Sequence, residues 1–248
     1  MKCVVLAAGY ATRLYPLTKN FPKPLLKVGS KTVLDWIVED AAATCPIDGI
    51  YIVSNHRFAH FFEDWKAGSR IQCPISVIDD GTETNETRLG AVMDIKKAID
   101  DGHIDDDLMV VAGDNVLEFS LGLFSRYFAS KKTTCIMRYE FSPLKGPCKY
   151  GVCSCTDDDL VLEMKEKPDS PRSHWAVPPF YIYRREDLGL ISEAIAGGCP
   201  VDAPGSFIEW LCAKVSVHAF RMPGKRYDIG NIQSYEQVQN DYKGILIH

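Results

Sequence analysis

The sequence predicts an α/β fold around a mostly parallel, mixed sheet, on two observations. In the first half, short unbroken apolar runs alternate with segments of helical spacing. Strands buried on both faces read this way, because crossover helices cover both sides of a parallel sheet. In the second half, strand-like segments follow one another with only turn-forming residues between them, as antiparallel neighbours do. At 248 residues the chain is long enough for one large α/β domain. No repeat, low-complexity segment or linker marks a boundary, so residues 1–248 are expected to form one domain whose halves meet at about residue 130.

Lys2–Ala7 is a continuous apolar strand, and Val33–Ala43 has helical spacing at Leu34, Ile37, Val38 and Ala41. Gly49–Ser54 reads as the second strand, Arg57–Trp65 as an aromatic helix, Ile75–Ile78 as the third strand, Glu86–Ile99 as a helix and Leu108–Ala112 as the fourth strand. After a helix at Phe119–Ala129 come strand candidates at Thr133–Phe141, Gly151–Cys155, Leu160–Glu166 and Phe180–Tyr183. Glu186–Ala196 and Ser206–Ala213 read as helices, Val215–Phe220 as a strand and Gln233–Tyr242 as the last helix. Open parallel sheets bind ligands beyond the carboxyl ends of their strands, where Gly9–Arg13 and Gly113–Asn115 both fall.

Composition narrows the function classes. A hydrophobic share of 46%, a charged share of 25% and a net charge of −5 describe an ordinary globular protein. They argue against general nucleic-acid binding, which rests on clustered positive charge. No apolar run approaches the ~20 residues that span a membrane. Met1-Lys2 leads straight into a strand without a signal peptide, so a cytoplasmic protein with reduced, mostly buried thiols is expected from its nine cysteines. Cys148, Cys153 and Cys155 form the only tight group and lack a fourth ligand at a zinc-like spacing. His56 and His60, spaced i, i+4 without a nearby acidic partner, read as surface or core residues.

The first loop carries the chemistry. Ala7, Ala8, Gly9 and Ala11 leave room for a phosphate or base to approach the backbone, and Arg13 can grip phosphate oxygens bidentately. Lys23 is held between Pro22 and Pro24, which restrict the backbone on either side. The buried strand Val110–Ala112 runs into Gly113-Asp114-Asn115, placing a carboxylate at the ligand edge, where a hard divalent cation takes one or two carboxylates plus substrate phosphates. In isolation Asp114 could equally cap the following turn. A second carboxylate stands in Arg226-Tyr227-Asp228-Ile229-Gly230.

Val4–Leu26 resembles the opening motif of the sugar-phosphate nucleotidylyltransferases of the NDP-sugar pyrophosphorylase type, Leu-Ala-Ala-Gly-x-Gly-Thr-Arg-Leu-x-Pro-x-Thr…Pro-Lys-Pro-Leu. Val110–Asn115 is similar to the family's Gly-Asp-Asn/His element, and Asp228-Ile229-Gly230 to the end of its Trp-x-Asp-x-Gly element. Lys149-Tyr150-Gly151-Val152 and Glu166-Lys167-Pro168 are similar to its Tyr-Gly-Val and Glu-Lys-Pro elements. The matches run in family order from residue 3 to about residue 230.

The resemblance implies a Rossmann-like three-layer nucleotidylyltransferase fold, with a nucleotide-binding half before about residue 130 and an acceptor-binding half after it. It implies that Leu6, Ala7, Ala8 and Gly9 bind the nucleotide. Arg13 would meet the leaving pyrophosphate, Lys23 the reacting phosphates, and Asp114 and Asp228 would hold Mg²⁺. Tyr150, Gly151, Glu166 and Lys167 would bind the acceptor, the glutamate at sugar hydroxyls and the lysine at the phosphate. Asn85 and Gly90 lie where relatives read the base, although Asn85 could instead cap the following helix. Arg88 could help with phosphate or be an exposed helix residue. Relatives are often dimers or tetramers, but nothing in the sequence shows an interface.

The implied partners are a nucleoside triphosphate and a phosphorylated small molecule, a sugar 1-phosphate in most of the family. The implied reaction transfers a nucleoside monophosphate to that acceptor and releases pyrophosphate. Four departures stand out: Ala11 for a family glycine, Tyr227 directly before Asp228, Pro178-Pro179 where relatives carry glycine, and a segment Asp80–Ala91 unlike the thymidylyltransferase version. If position 11 needs positive φ, alanine there costs about 1 kcal/mol. The altered acceptor segments leave open a non-sugar phosphate such as phosphocholine. A non-catalytic regulatory subunit would usually lose Arg13, Lys23 or an aspartate, and all are present. A dinucleotide-dependent oxidoreductase would need Gly-x-Gly-x-x-Gly, a test that Gly9-Tyr10-Ala11-Thr12-Arg13-Leu14 fails.

Overall fold

The computed structural model describes residues 1–142 and 148–248. They form two compact units, one of residues 1–89, 111–125 and 223–248, the other of residues 90–110 and 126–222. The halves expected from the sequence are a division by ligand. The compact units are a different partition, interleaved along the chain, with strand Leu108–Ala112 and helix Leu121–Lys131 each passing from one unit into the other.

In the first unit, strands Lys2–Leu6, Ile50–Ser54 and Ile75–Asp79 run parallel, with Cys3 opposite Ile50 and Ile50 opposite Ile75. Val4, Val5, Ile52 and Val53 are wholly buried, which is why these strands read as unbroken apolar runs. Helix Val33–Thr44 begins at a capping box: Thr32 Oγ1 accepts from the Asp35 amide at 3.0 Å, and the Asp35 carboxylate accepts from the Thr32 amide at 2.8 Å. Helix Ala59–Gly68 starts two residues later than expected, because the Asn55 side chain accepts from the Phe58 amide at 3.0 Å and closes a turn first. Helix Ile232–Asp241 is capped by Asn231, whose side chain accepts from Ser234 N at 2.8 Å.

The first unit also contains a short antiparallel pair that sequence periodicity did not reveal, Asn115–Leu117 with Arg226–Asp228. Its register sets Asp228 opposite Asn115 and Arg226 opposite Leu117.

The second unit carries the mixed character of the fold. Strand Thr134–Glu140 pairs antiparallel with Phe180–Tyr183 and Trp175–Val177, and parallel with Val217–Arg221. Gly151–Cys155 pairs antiparallel with Trp175–Val177 and with Val161–Lys165. Helices Ala91–Asp101, Leu190–Ala196 and Gly205–Cys212 complete it. The helix expected from Glu86 begins only at Ala91. Gly90 before it takes φ +93°, and a Cβ there would lie 2.5 Å from the Val201 carbonyl oxygen. Only glycine fits that backbone approach. All nine cysteines are free thiols, five of them buried. Among the described residues no helix is long and apolar enough to cross a membrane.

Candidate active site

The loop after the first strand is pinned before any ligand is considered. Ala7 N donates to the Val53 carbonyl at 2.9 Å, and the buried Asn55 donates Nδ2 to the Ala8 carbonyl at 2.9 Å. Leu6 O accepts from Gly113 N at 2.9 Å, tying this loop to the strand end that carries Asp114. Gly9 is exposed, and a Cβ there would meet nothing within 4 Å, so open space lies over the backbone. Tyr10 turns inward, donating its hydroxyl to the Thr82 carbonyl at 2.9 Å.

Ala11 does take the left-handed conformation, with φ 48° and ψ 42°. Its carbonyl accepts both Leu14 N at 2.9 Å and the buried Thr18 hydroxyl at 2.8 Å, and these bonds hold the strained residue in place. Ala11→Gly is therefore expected to stabilise the protein by about 1 kcal/mol, a Tm rise of roughly 2–4 °C in thermal denaturation. An unchanged or lower Tm would mean that the strain is already relieved. Arg13 follows in the short 3₁₀ turn Thr12–Leu14 with its side chain exposed.

Lys23 opens a second 3₁₀ turn, Lys23–Leu25, with Pro22 at the cap. Its Nζ donates to Asp114 Oδ2 at 2.6 Å and to the Ile229 carbonyl at 3.0 Å. Gly113 permits this convergence: a Cβ there would lie 3.1 Å from Leu6 O and 3.2 Å from Pro24 Cγ. Asn115 Nδ2 donates to Asp114 Oδ1 at 2.5 Å, and Arg226 donates to Asn115 Oδ1. Arg226 NH1 also stands 3.8 Å from Asp228 Oδ2. Ile229 N donates to the Asp114 carbonyl at 3.0 Å, joining the two carboxylate-bearing segments.

The two carboxyls are pushed in opposite directions. Burial raises the Asp114 carboxyl, but the Lys23 ammonium, its hydrogen bond and the Arg226 charge outweigh it and hold it below the usual range. Asp228 is raised, by desolvation first and by the negative charge of Asp114 second, against the pull of Arg226, Lys23 and Arg13. Two carboxylates that repel across a site flanked by cations suit a hard divalent ion plus anionic phosphates. Among the described residues no group of three or more His, Cys, Asp or Glu side chains converges for metal binding, so substrate oxygens and water would complete the shell of such an ion.

Asn85 lies in a 3₁₀ turn, Asn85–Thr87, where its carbonyl accepts from Arg88 NH1 at 2.8 Å. It does not cap the next helix, whose N-cap is Gly90 without a side-chain bond. Gly90 is buried, and its approach to Val201 by itself requires glycine. The reading of His56 as lacking an acidic partner is corrected: its Nδ1 lies 2.5 Å from Asp79 Oδ2, and both side chains are exposed. The carboxylate came into range because parallel pairing aligns Ser54 with Asp79.

The acceptor candidates belong to the second unit. Tyr150 is exposed and its ring meets that of Tyr139 edge-on at 6.2 Å between centroids. A Cβ on Gly151 would lie 2.9 Å from Glu166 Oε2, and one on Gly205 only 2.0 Å from the same atom. Glu166 thus sits in a slot that two glycines make, with Glu209 accepting from its backbone amide at 2.8 Å. Lys167, exposed, takes φ 46° beside it.

Burial pushes the Glu166 carboxyl from 4.5 up to about 7, with Lys167 lowering it and Glu209 raising it. A carboxyl raised on folding stabilises the folded state below its unfolded pKa and loses that contribution as pH rises through its folded value. Between pH 4.5 and about 7 wild type should therefore lose up to about 3 kcal/mol that Glu166→Gln does not lose, read by urea unfolding at several pH values. Parallel pH curves for the two proteins would reject the raised carboxyl.

Sequence reasoning missed Asn55, Asn115, Gly205 and Arg226. Asn115 was the last residue of a named motif but was given no role, and Arg226 stood two residues before a named aspartate, so both could have been found. Asn55 and Gly205 carried no signal in the sequence.

Residues 2–244 match the model of the nucleotidyl transferase family. The chain is 24% identical over 96% of its length to the UTP–glucose-1-phosphate uridylyltransferase AglF of Haloferax volcanii, covering 95% of that protein. It is 25% identical over 98% of its length to the bifunctional protein GlmU of Methanocaldococcus jannaschii, of which it spans only 57%. The crystal structure of UDP-glucose pyrophosphorylase complexed with UDP-glucose superposes with a TM-score of 0.81 at 22% identity, covering 97% of each chain, a likeness that speaks for the fold. With Lys23, Asp114 and Asp228 drawn together in the first unit and the family match running nearly end to end, the chain belongs to the nucleotidyl transferase family.

Proposed function

We propose that the protein is a sugar-phosphate nucleotidylyltransferase. An oxygen of a sugar 1-phosphate attacks the α-phosphorus of a nucleoside triphosphate; the new P–O bond gives an NDP-sugar, and the broken one releases pyrophosphate. The observation that carries this reading is Lys23, fixed by prolines and bridging Asp114 and the Ile229 carbonyl directly beside Asp228. The names of relatives such as AglF support a sugar phosphate as acceptor.

The chemistry asks for charge neutralisation more than proton transfer. A phosphate monoester is already largely anionic near neutral pH, its second pKa being ~6, so no general base is needed. The barrier lies in bringing two anions together in line, which positioning and electrostatics lower. Arg13, exposed, meets the departing pyrophosphate. Lys23 balances charge on the reacting phosphates, with Asp114 as its counter-ion at rest. Asp114 and Asp228 would hold Mg²⁺, which when bound supplies Lewis-acid neutralisation of the triphosphate. Glu166, recessed in its glycine slot, offers a carboxyl to acceptor hydroxyls, and Lys167 a charge to the acceptor phosphate.

The deciding experiment is pyrophosphate release with Mg²⁺, run over the common nucleoside triphosphates against a panel of sugar 1-phosphates plus phosphocholine. Release that requires one triphosphate and one sugar 1-phosphate is expected. Release with phosphocholine alone, or none with any pair, would overturn the proposal.

A further inference from the structure

We infer that Arg226 is a positioning residue for this reaction, acting on Asp114 through the side chain of Asn115. The inference rests on the function proposed above. Arg226 and Asp228 alternate along one short strand, so their side chains leave it on the same face, and the register sets Asp228 opposite Asn115. The Arg226 side chain is only 8% exposed. It donates to Asn115 Oδ1, while Asn115 Nδ2 donates to Asp114 Oδ1 at 2.5 Å.

A guanidinium has donors and no acceptor, so the Asn115 atom facing it must be the oxygen. The amide nitrogen is then turned to Asp114. The reverse orientation would set an oxygen against the carboxylate and an NH₂ against the guanidinium, two repulsive contacts where there are now two hydrogen bonds. Arg226 therefore holds the oxygen end of Asn115, as Asp114 holds the nitrogen end. With Lys23 on Oδ2 and Asn115 on Oδ1, both Asp114 oxygens are held. The same guanidinium stands 3.8 Å from Asp228, so one arginine bears on both carboxylates, on one directly and on the other through an amide. The motif that this segment resembles has tryptophan at this place, with one uncharged donor. Here that place holds a cation.

The test combines kinetics with a spectroscopic readout. Arg226→Met keeps the stem and removes the donors, and Arg226→Lys restores one donor and the charge. Arg226→Met is expected to lower kcat on the order of tenfold with the acceptor KM nearly unchanged, and Arg226→Lys to recover much of the loss. In an Asn115→Ala background the same Arg226→Met change should cost clearly less than in the wild-type background, what remains being its direct effect on Asp228. The side-chain amide resonances of Asn115, identified by their disappearance in Asn115→Ala, should shift in Arg226→Met and return towards their original positions in Arg226→Lys. A purely structural role would instead lower Tm and give equal losses in both backgrounds. Additive losses, or Asn115 resonances that stay in place, would overturn the inference. Wild type releasing no pyrophosphate would refute the proposed function, and the amide resonances would still decide whether Arg226 orients Asn115.

Discussion

Lys23→Met is expected to lower turnover by roughly a thousandfold, the scale seen when one preorganised cation is removed from a phosphoryl-transfer site. It should also change how stability depends on pH. In the wild type the folded Asp114 carboxyl lies below its ordinary value of 3.8. Its contribution is thus present above that value and is lost as pH falls through the folded pKa. Without the ammonium and its hydrogen bond, burial, the largest influence on Asp114, raises the carboxyl against the weaker Arg226 charge. The variant should then be most stable in acid and lose stability as pH rises, by about 2 kcal/mol at neutral pH given that Asp114 is partly exposed. Urea unfolding across the pH range reads this directly. A variant with wild-type kcat, or one with an unaltered pH trend, would show that the Lys23–Asp114 pair does neither job.

Asp114→Asn should be as damaging to turnover, roughly a thousandfold, and milder to the fold than Lys23→Met. Asparagine is nearly isosteric, and Lys23 keeps its bond to the Ile229 carbonyl. The new NH₂ gives up one of the two hydrogen bonds, from Lys23 or from Asn115, that the carboxylate accepted. The substitution also removes the negative charge that raises Asp228, so that carboxyl should move back towards its ordinary value. Binding of Mn²⁺, followed by its paramagnetic effect on water, should weaken by about tenfold or more when one of two carboxylate ligands is lost. The pair of variants separates the two roles: Lys23→Met loses activity and stability, Asp114→Asn loses activity and cation affinity. An Asp114→Asn protein that keeps both turnover and Mn²⁺ affinity would remove Asp114 from the site.

Much of this could be read in the sequence, for reasons visible in the structure. The three parallel strands of the first unit were legible because both of their faces are buried, and the Pro-Lys-Pro turn because proline fixes the backbone on either side of Lys23. The Asn115–Leu117 and Arg226–Asp228 pair was not legible. Each strand has three residues, too few for a period to register, and Arg226 and Asn115 lie 111 positions apart. Yet this pair sets Asp228 beside Asn115, so the least readable element arranges part of the candidate site. The true start of the helix at Ala91 was hidden for another reason: the backbone approach of Val201 to Gly90 is a tertiary fact. His56 was misjudged because its partner, Asp79, belongs to a neighbouring strand.

The bond from Lys23 to the Ile229 carbonyl joins residues 206 positions apart. On the ribosome, therefore, the parallel strands of the first unit can form early, while their charged edge waits for a ribbon synthesised long afterwards. Until residues 226–229 emerge, Lys23 and Asp114 have neither the closing carbonyl nor the second carboxylate. Contacts of such separation form late and slowly. A nascent chain stalled before that point would hold Lys23 and Asp114 without the Ile229 carbonyl and the Arg226–Asp228 strand that meet them in the folded protein.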